Sequence, residues 1–306
     1  MKELKCISKA LLISSAFFFT QQLHSQETVD LLAVMDEEEE EAYPVTNEFK
    51  TTQVINLPSL MMTDIGEFDL KINHRFNPLN SGAYDAFGFD VANIRIGGEY
   101  GITKGLVIGL GRSNVAKQTD AFLEYKLFNQ TTDNKIPFTA ILYAGSAYTA
   151  QKYTFTQTES GRDVDFRSRL AYTAQLVLGK KLSNSLSLQV SPTVLHYNTT
   201  KANTSDEKFD NTLMAVGIAA RAKITTRTTF NAEWIPVIGN NGNYKNALSI
   251  GFDIETGGHV FQLHLTNSRG MSPYQYIGRN DQSWGDGGIH FGFNISRIFN
   301  IVNYEE

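Results

Sequence analysis

Ala92-Asn93-Ile94-Arg95-Ile96-Gly97-Gly98-Glu99-Tyr100-Gly101-Ile102-Thr103-Lys104-Gly105-Leu106-Val107-Ile108-Gly109-Leu110-Gly111 reads as two strands joined by a turn. Its even-numbered positions are mostly apolar and its odd-numbered ones small, polar or charged. A period of two suits an extended strand, whose side chains point to opposite faces in turn, and a helix cannot use it. The pattern recurs from Gly66 to Phe299 in segments of roughly ten residues separated by turns, as in a membrane-spanning β-barrel. The apolar face would meet lipid and the other face a lumen.

Twelve strands are expected, at 66–76, 90–101, 105–112, 119–129, 136–149, 166–180, 185–197, 210–224, 228–236, 246–255, 259–267 and 288–298. The eighth has the weakest phase, because both faces of Leu213 to Ala222 are apolar or small. The fold class is thus all-β: a closed antiparallel transmembrane β-barrel of about 12 strands. Loop lengths support this independently. Links near 102–104, 129–135, 181–184, 225–227 and 256–258 are short, and those at 77–89, 112–118, 150–165, 198–209, 237–245 and 268–287 are longer. That alternation matches periplasmic turns and extracellular loops. A soluble lipocalin-like barrel also alternates, but with its apolar face inside and about eight strands. Aromatics at strand ends (Phe76, Tyr100, Tyr125, Tyr148, Tyr197, Trp234 and Phe299) suit two interfacial girdles.

Hydrophobic residues make up 42% of the chain and its mean hydropathy is −0.24, values that would hide a barrel, since its wall shows lipid only every second residue. The continuous apolar stretch Ala10 to Thr20 follows Lys2, Lys5 and Lys9. It is shorter than the roughly 20 residues of a spanning helix and suits a signal-peptide core. Residues 1–25 are therefore expected to be a signal peptide cleaved after Ser25, taking Cys6 with it and leaving a mature chain with no disulfide or thiolate metal site. Residues 26–65 follow as an acidic, largely disordered extension or a plug. They hold the run Asp36 to Glu41, read as a periplasmic tether or a tail for a basic partner, and the more strand-like stretch Phe49 to Leu60. Residues 66–299 form the barrel and 300–306 a tail. A net charge of −5 and a pI near 5.7, with no basic stripe, give nothing for nucleic acid to bind.

Several stretches resemble a Bacteroidetes outer-membrane β-barrel family of unknown function. They are Ile72-Asn73-His74-Arg75-Phe76, Phe87-Gly88-Phe89-Asp90, Ile94-Arg95-Ile96-Gly97, Tyr100-Gly101-Ile102-Thr103, His259 to Ser268, and Phe291-Gly292-Phe293-Asn294-Ile295-Ser296-Arg297. The resemblance implies a barrel in the outer membrane of a Gram-negative bacterium. It implies no activity, and no catalytic residue is carried over.

The strand phase places Lys71, Arg75, Arg95, Glu99, Glu124, Lys126, Arg167, Arg169, Glu233 and His264 toward the lumen. Opposite charges there should pair, because an unpaired ion away from bulk water costs several kcal/mol. Two outcomes follow: an interlocked core with little channel, or a narrow polar pore whose Arg75, Arg95, Arg167 and Arg169 favour a small anionic solute. Catalysis has weak support. His264 and Ser268 lie four residues apart, about 13 Å along a strand, too far for a base to orient a nucleophile. Loop 278–288 offers oxygen ligands without the spacing of a calcium loop. No cofactor or metal motif is present. The expected partners are outer-membrane lipid, the barrel-assembly machinery during insertion, and a small solute. The expected function is a passive pore or small-solute transporter, with a closed barrel that binds through its outer loops as the alternative.

Overall fold

The computed structural model describes residues 42–151, 165–199, 210–239 and 243–302. The expected signal peptide, the acidic run and the C-terminal four residues lie outside them. Twelve strands form the wall: β1 Glu67–Pro78, β2 Ala92–Thr103, β3 Leu106–Ser113, β4 Gln118–Phe128, β5 Thr139–Thr149, β6 Leu170–Lys181, β7 Leu186–Tyr197, β8 Thr212–Lys223, β9 Thr228–Ile235, β10 Ala247–Thr256, β11 His259–Thr266 and β12 His290–Asn300. Pro236 interrupts β9, having no N–H to give the ladder. The strand resumes as Val237–Ile238, paired with Ala215 and Met214 of β8. Neighbours in sequence pair antiparallel all the way round, and β1 pairs with β12 from Glu67 opposite Asn300 to Pro78 opposite His290. The ring is closed, which leaves no unpaired edge for lipid to face. Among the described residues no helix is long and apolar enough to cross a membrane.

β7 shows why the sequence folds this way. Ser187, Gln189, Ser191, Thr193, Leu195 and Tyr197 are buried, whereas Leu186, Leu188, Val190 and Val194 between them are exposed. Exposed apolar side chains continue round the ring through Ile96, Ile108, Leu110, Leu123, Leu142, Met214, Phe252 and Leu263. So large an apolar band marks a lipid-facing surface.

Two expectations need correction, and a third observation finds its cause. Arg167 and Arg169 sit in a 3-10 turn before β6 begins at Leu170, where the polar-apolar alternation runs on past the end of the strand. Arg167 is exposed, and Arg169 donates to the Thr149 and Gln151 carbonyls, so neither lines the lumen. Tyr197 belongs to no outer girdle: it is 6% exposed and its hydroxyl donates to the carbonyl of Tyr274 inside the barrel. The weak phase of β8 has a physical cause, because its inward residues Leu213, Ala215 and Ala219 are themselves apolar and pack on residues that fill the lumen.

Candidate functional site

Two segments occupy the lumen. The first enters at the end carrying the short turns. Its foot is tied to the β4–β5 turn by the Pro44–Thr131 bridge and by Val45 N–H donating to the Gln130 carbonyl at 2.7 Å. Residues 49–60 then run into the barrel and fold back as a hairpin. Val54 N–H donates to Leu57 O (2.8 Å) and Ser59 N–H to Thr52 O (3.0 Å), and the chain leaves through the Ile65–Gly101 bridge into β1. Phe49, Val54, Ile55, Leu57 and Leu60 are at most 2% exposed. We call this hairpin the plug.

The second segment comes from the opposite end. The loop between β11 and β12 dips inward through α1 (Pro273–Tyr276), and Met271, Tyr274, Tyr276 and Ile277 are fully buried. The long external loop expected at 268–287 therefore turns into the lumen in this stretch. The apolar cluster Met271, Tyr274, Tyr276 and Ile277 in an otherwise polar loop was the available signal.

Glu233 of β9 holds the tip of the plug. Its carboxylate accepts backbone N–H groups from Ile55 (3.3 Å), Asn56 (3.0 Å) and Leu57 (3.1 Å) and the side-chain amide of Asn56 (2.6 Å). Three successive N–H groups aimed at one anion form a backbone nest, here filled by the protein's own carboxylate. Other polar wall residues engage the remaining plug carbonyls. Gln262 donates to Val54 O, Asn294 to Ile55 O (3.1 Å) and Gln189 to Pro58 O (2.7 Å). Phe49, Val54, Leu57 and Leu60 of the hairpin lie in one cluster with Ile141, Val177, Leu195, Leu213, Ala215 and Ile235 of β5 to β9.

The remaining charged candidates gather on the other side. Lys71 pairs with Glu99 at 2.5 Å and lies 3.8 Å from Asp69. Glu99 also accepts from the Thr63 hydroxyl at 2.7 Å. Arg95 forms a two-pronged pair with Asp120, its Nε 3.1 Å from Oδ1. Asp120 was missed at the sequence level although it has the inward phase of Glu124. Arg75 is fully buried, donating to Asn294 Oδ1 (2.8 Å), the His74 carbonyl (2.9 Å) and Asn56 Oδ1 (3.3 Å). An arginine lining that favours anions is therefore not assembled: Arg75 is spent on wall and plug, Arg95 is neutralised, and Arg167 and Arg169 are at the rim. Lys126 is half-buried beyond Glu124 on β4. His264 is 2% exposed and packed against the Arg75 and Gly292 region, while the Ser268 hydroxyl donates to the Gly270 carbonyl, so the two form no catalytic pair. Trp284 donates its indole N–H to the Leu248 carbonyl at 2.8 Å.

The profile of the membrane-bound β-barrel domain family (DUF5777) matches residues 49–299. The chain belongs to that family. The match starts at Phe49, eighteen positions before β1, so the family's domain includes the plug as well as the wall. No curated protein matches the sequence. Among solved structures, a NanC porin covers 76% of this chain and 98% of its own at 9% identity and a TM-score of 0.48. A KdgM porin covers 76% and 99% at 10% identity and 0.46. An outer membrane channel from Pseudomonas putida F1 covers 78% and 97% at 11% identity and 0.40. By its family the protein is thus a membrane-bound β-barrel, and its apolar belt is the face that meets lipid.

Proposed function

We propose that this family member is a gated passive pore or small-solute transporter, closed in the state described by its own plug. The observation that carries the reading is the independence of wall and plug. Every wall strand finds its partners in other wall strands, and residues 49–60 add none. The plug enters and leaves at the same end, so it can withdraw without unthreading the barrel. Twelve strands about 4.8 Å apart and tilted about 40° give a wall roughly 75 Å in circumference, hence a radius of about 12 Å. Side chains take about 5 Å of that. With the plug withdrawn, the inward loop at α1 still occupies part of that width, and the space beside it is of a size for small solutes and not for proteins.

The burial of Phe49, Val54, Ile55, Leu57 and Leu60 favours a second reading, a permanently closed barrel that binds through its outer loops. A cleaved signal over residues 1–25, a Bacteroidetes host and delivery by the barrel-assembly machinery accompany both readings, and neither includes a catalytic step. Single-channel recording separates them, using the refolded chain with and without residues 26–65. Steps that appear or grow on truncation support the gated pore. Silence from both proteins overturns it in favour of the closed barrel.

A further inference from the structure

Between the plug, α1 and the charged wall lies a cavity of about 50 Å³. Its charges are unequal: the carboxylates of Glu99, Asp120 and Glu124 face the cations of Lys71 and Arg95. Both cations are already engaged, Lys71 by Glu99 with Asp69 nearby, and Arg95 by Asp120. Glu124 is left over. It is 3% exposed, it lines the cavity, and among the described residues no hydrogen-bond donor or ion-pair partner reaches its carboxylate. Lys71 and Lys126 act on it only through space, neither in a contact ion pair with it, and Lys71 is already shared between Glu99 and Asp69. An enclosed carboxylate with no hydrogen bond and no contact ion pair leaves a place for a cation from outside the chain.

The walls narrow the choice of cation. Phe122, Tyr143 and Tyr276 line the same space, with the first two rings stacked at 5.2 Å. Aromatic faces around a carboxylate recognise organic ammonium groups. Among the described residues no cluster of three or more metal-ligating side chains exists to hold a metal ion. We propose that this cavity binds an ammonium-type cation: a primary or small alkyl ammonium head held by Glu124 against the rings of Phe122, Tyr143 and Tyr276. The site stands on lumen geometry. It rests on the pore reading only in taking the cation for a solute in passage, and it makes the preferred solute class cationic.

Titration calorimetry of the refolded full chain with methylammonium chloride at fixed ionic strength tests the site. Saturable binding is expected, weakened at least tenfold by Glu124→Gln and unchanged by Asp85→Asn in the exposed β1–β2 loop. Tyr276→Leu, which leaves the charges in place and changes a loop residue instead of the wall, should weaken methylammonium severalfold. No saturable heat from the wild type, equal binding by Glu124→Gln, or equal displacement by potassium would overturn the proposal. Binding by a barrel that never conducts would remove the pore reading and keep the site. Conductance without binding would do the reverse.

Discussion

Replacing Glu233 with Gln should release the plug while leaving the wall folded. The carboxylate takes four N–H contacts, from the Ile55, Asn56 and Leu57 backbones and the Asn56 amide, at 2.6 to 3.3 Å. Hydrogen bonds to a charged group contribute about 1.5–3 kcal/mol each. An amide keeps one acceptor oxygen but turns an NH2 group toward donors, so about two of the four contacts are lost. Easier burial of a neutral side chain offsets part of that loss and leaves roughly 3 kcal/mol. At 1.4 kcal/mol per tenfold, the undocked population should rise about a hundredfold. Amide exchange at Ile55 to Leu57 in the refolded barrel reads this directly, and open probability in a bilayer should move with it. If those amides stay as protected as in the wild type while the barrel is folded, Glu233 does not hold the plug and the gating mechanism fails.

Three further outcomes are expected. Ile96→Arg and Phe252→Arg, on the lipid face, should each block insertion at a cost of about 2–4 kcal/mol near the membrane midplane, measured by folding yield into vesicles. Gly217→Val should push the plug off its seat, because even a Cβ at Gly217 would meet the Leu57 methyls at 2.8 Å; conductance should rise with little change in wall stability. The plug's foot should loosen in acid. Hydrogen bonds, first from the Thr131 hydroxyl and then from the Lys135 N–H, hold the Asp133 carboxyl below the usual range. A depressed carboxylate stabilises the turn above its unfolded pKa, and that contribution fades as pH falls through the folded one. Exchange at the Val45 amide should therefore accelerate on acidification, and much less steeply in Asp133→Asn.

The wall was legible because its rule is local. A residue's face follows from its parity within a strand, so inward positions such as Lys71, Arg95, Glu99, Glu124 and Glu233 could be read from neighbours two places away. What fills the lumen obeys no such rule. Phe49 to Leu60 carries a turn where a strand would need continued alternation. Its partners, such as Glu233 and Gln262, lie more than 170 residues on. The apolar interior of β8 registered only as a blurred phase, although that blur was the plug's seat. Arg167 and Arg169 failed for a related reason: alternation does not mark where pairing stops. The inward position of residues 271–277 depends on filling a space that parity does not describe.

The lumen is built from two unlike halves, and this decides how the gate can work. β5 to β9 offer the plug an apolar surface in Ile141, Val177, Leu195, Leu213 and Ile235, whereas β1, β2 and β4 present Asp69, Lys71, Arg95, Glu99, Asp120 and Glu124. The hairpin is amphipathic to match. Leu57 and Leu60 face the first surface, while Thr52 donates to Asp69 (3.3 Å) and the Gln53 side chain accepts from Asn73 (3.0 Å) on the second. Apolar contact is non-directional and is lost only in proportion to the area uncovered, but the polar contacts break within a fraction of an ångström. A small displacement therefore opens the charged side first, where the cavity already lies. Conduction would then begin along the carboxylate-rich wall, and cations should pass before the plug has left the barrel. Partial-open states of the Glu233→Gln barrel should accordingly be the more cation-selective ones. Reversal potentials across a salt gradient measure this, and anion selectivity in those states would show that the path runs elsewhere.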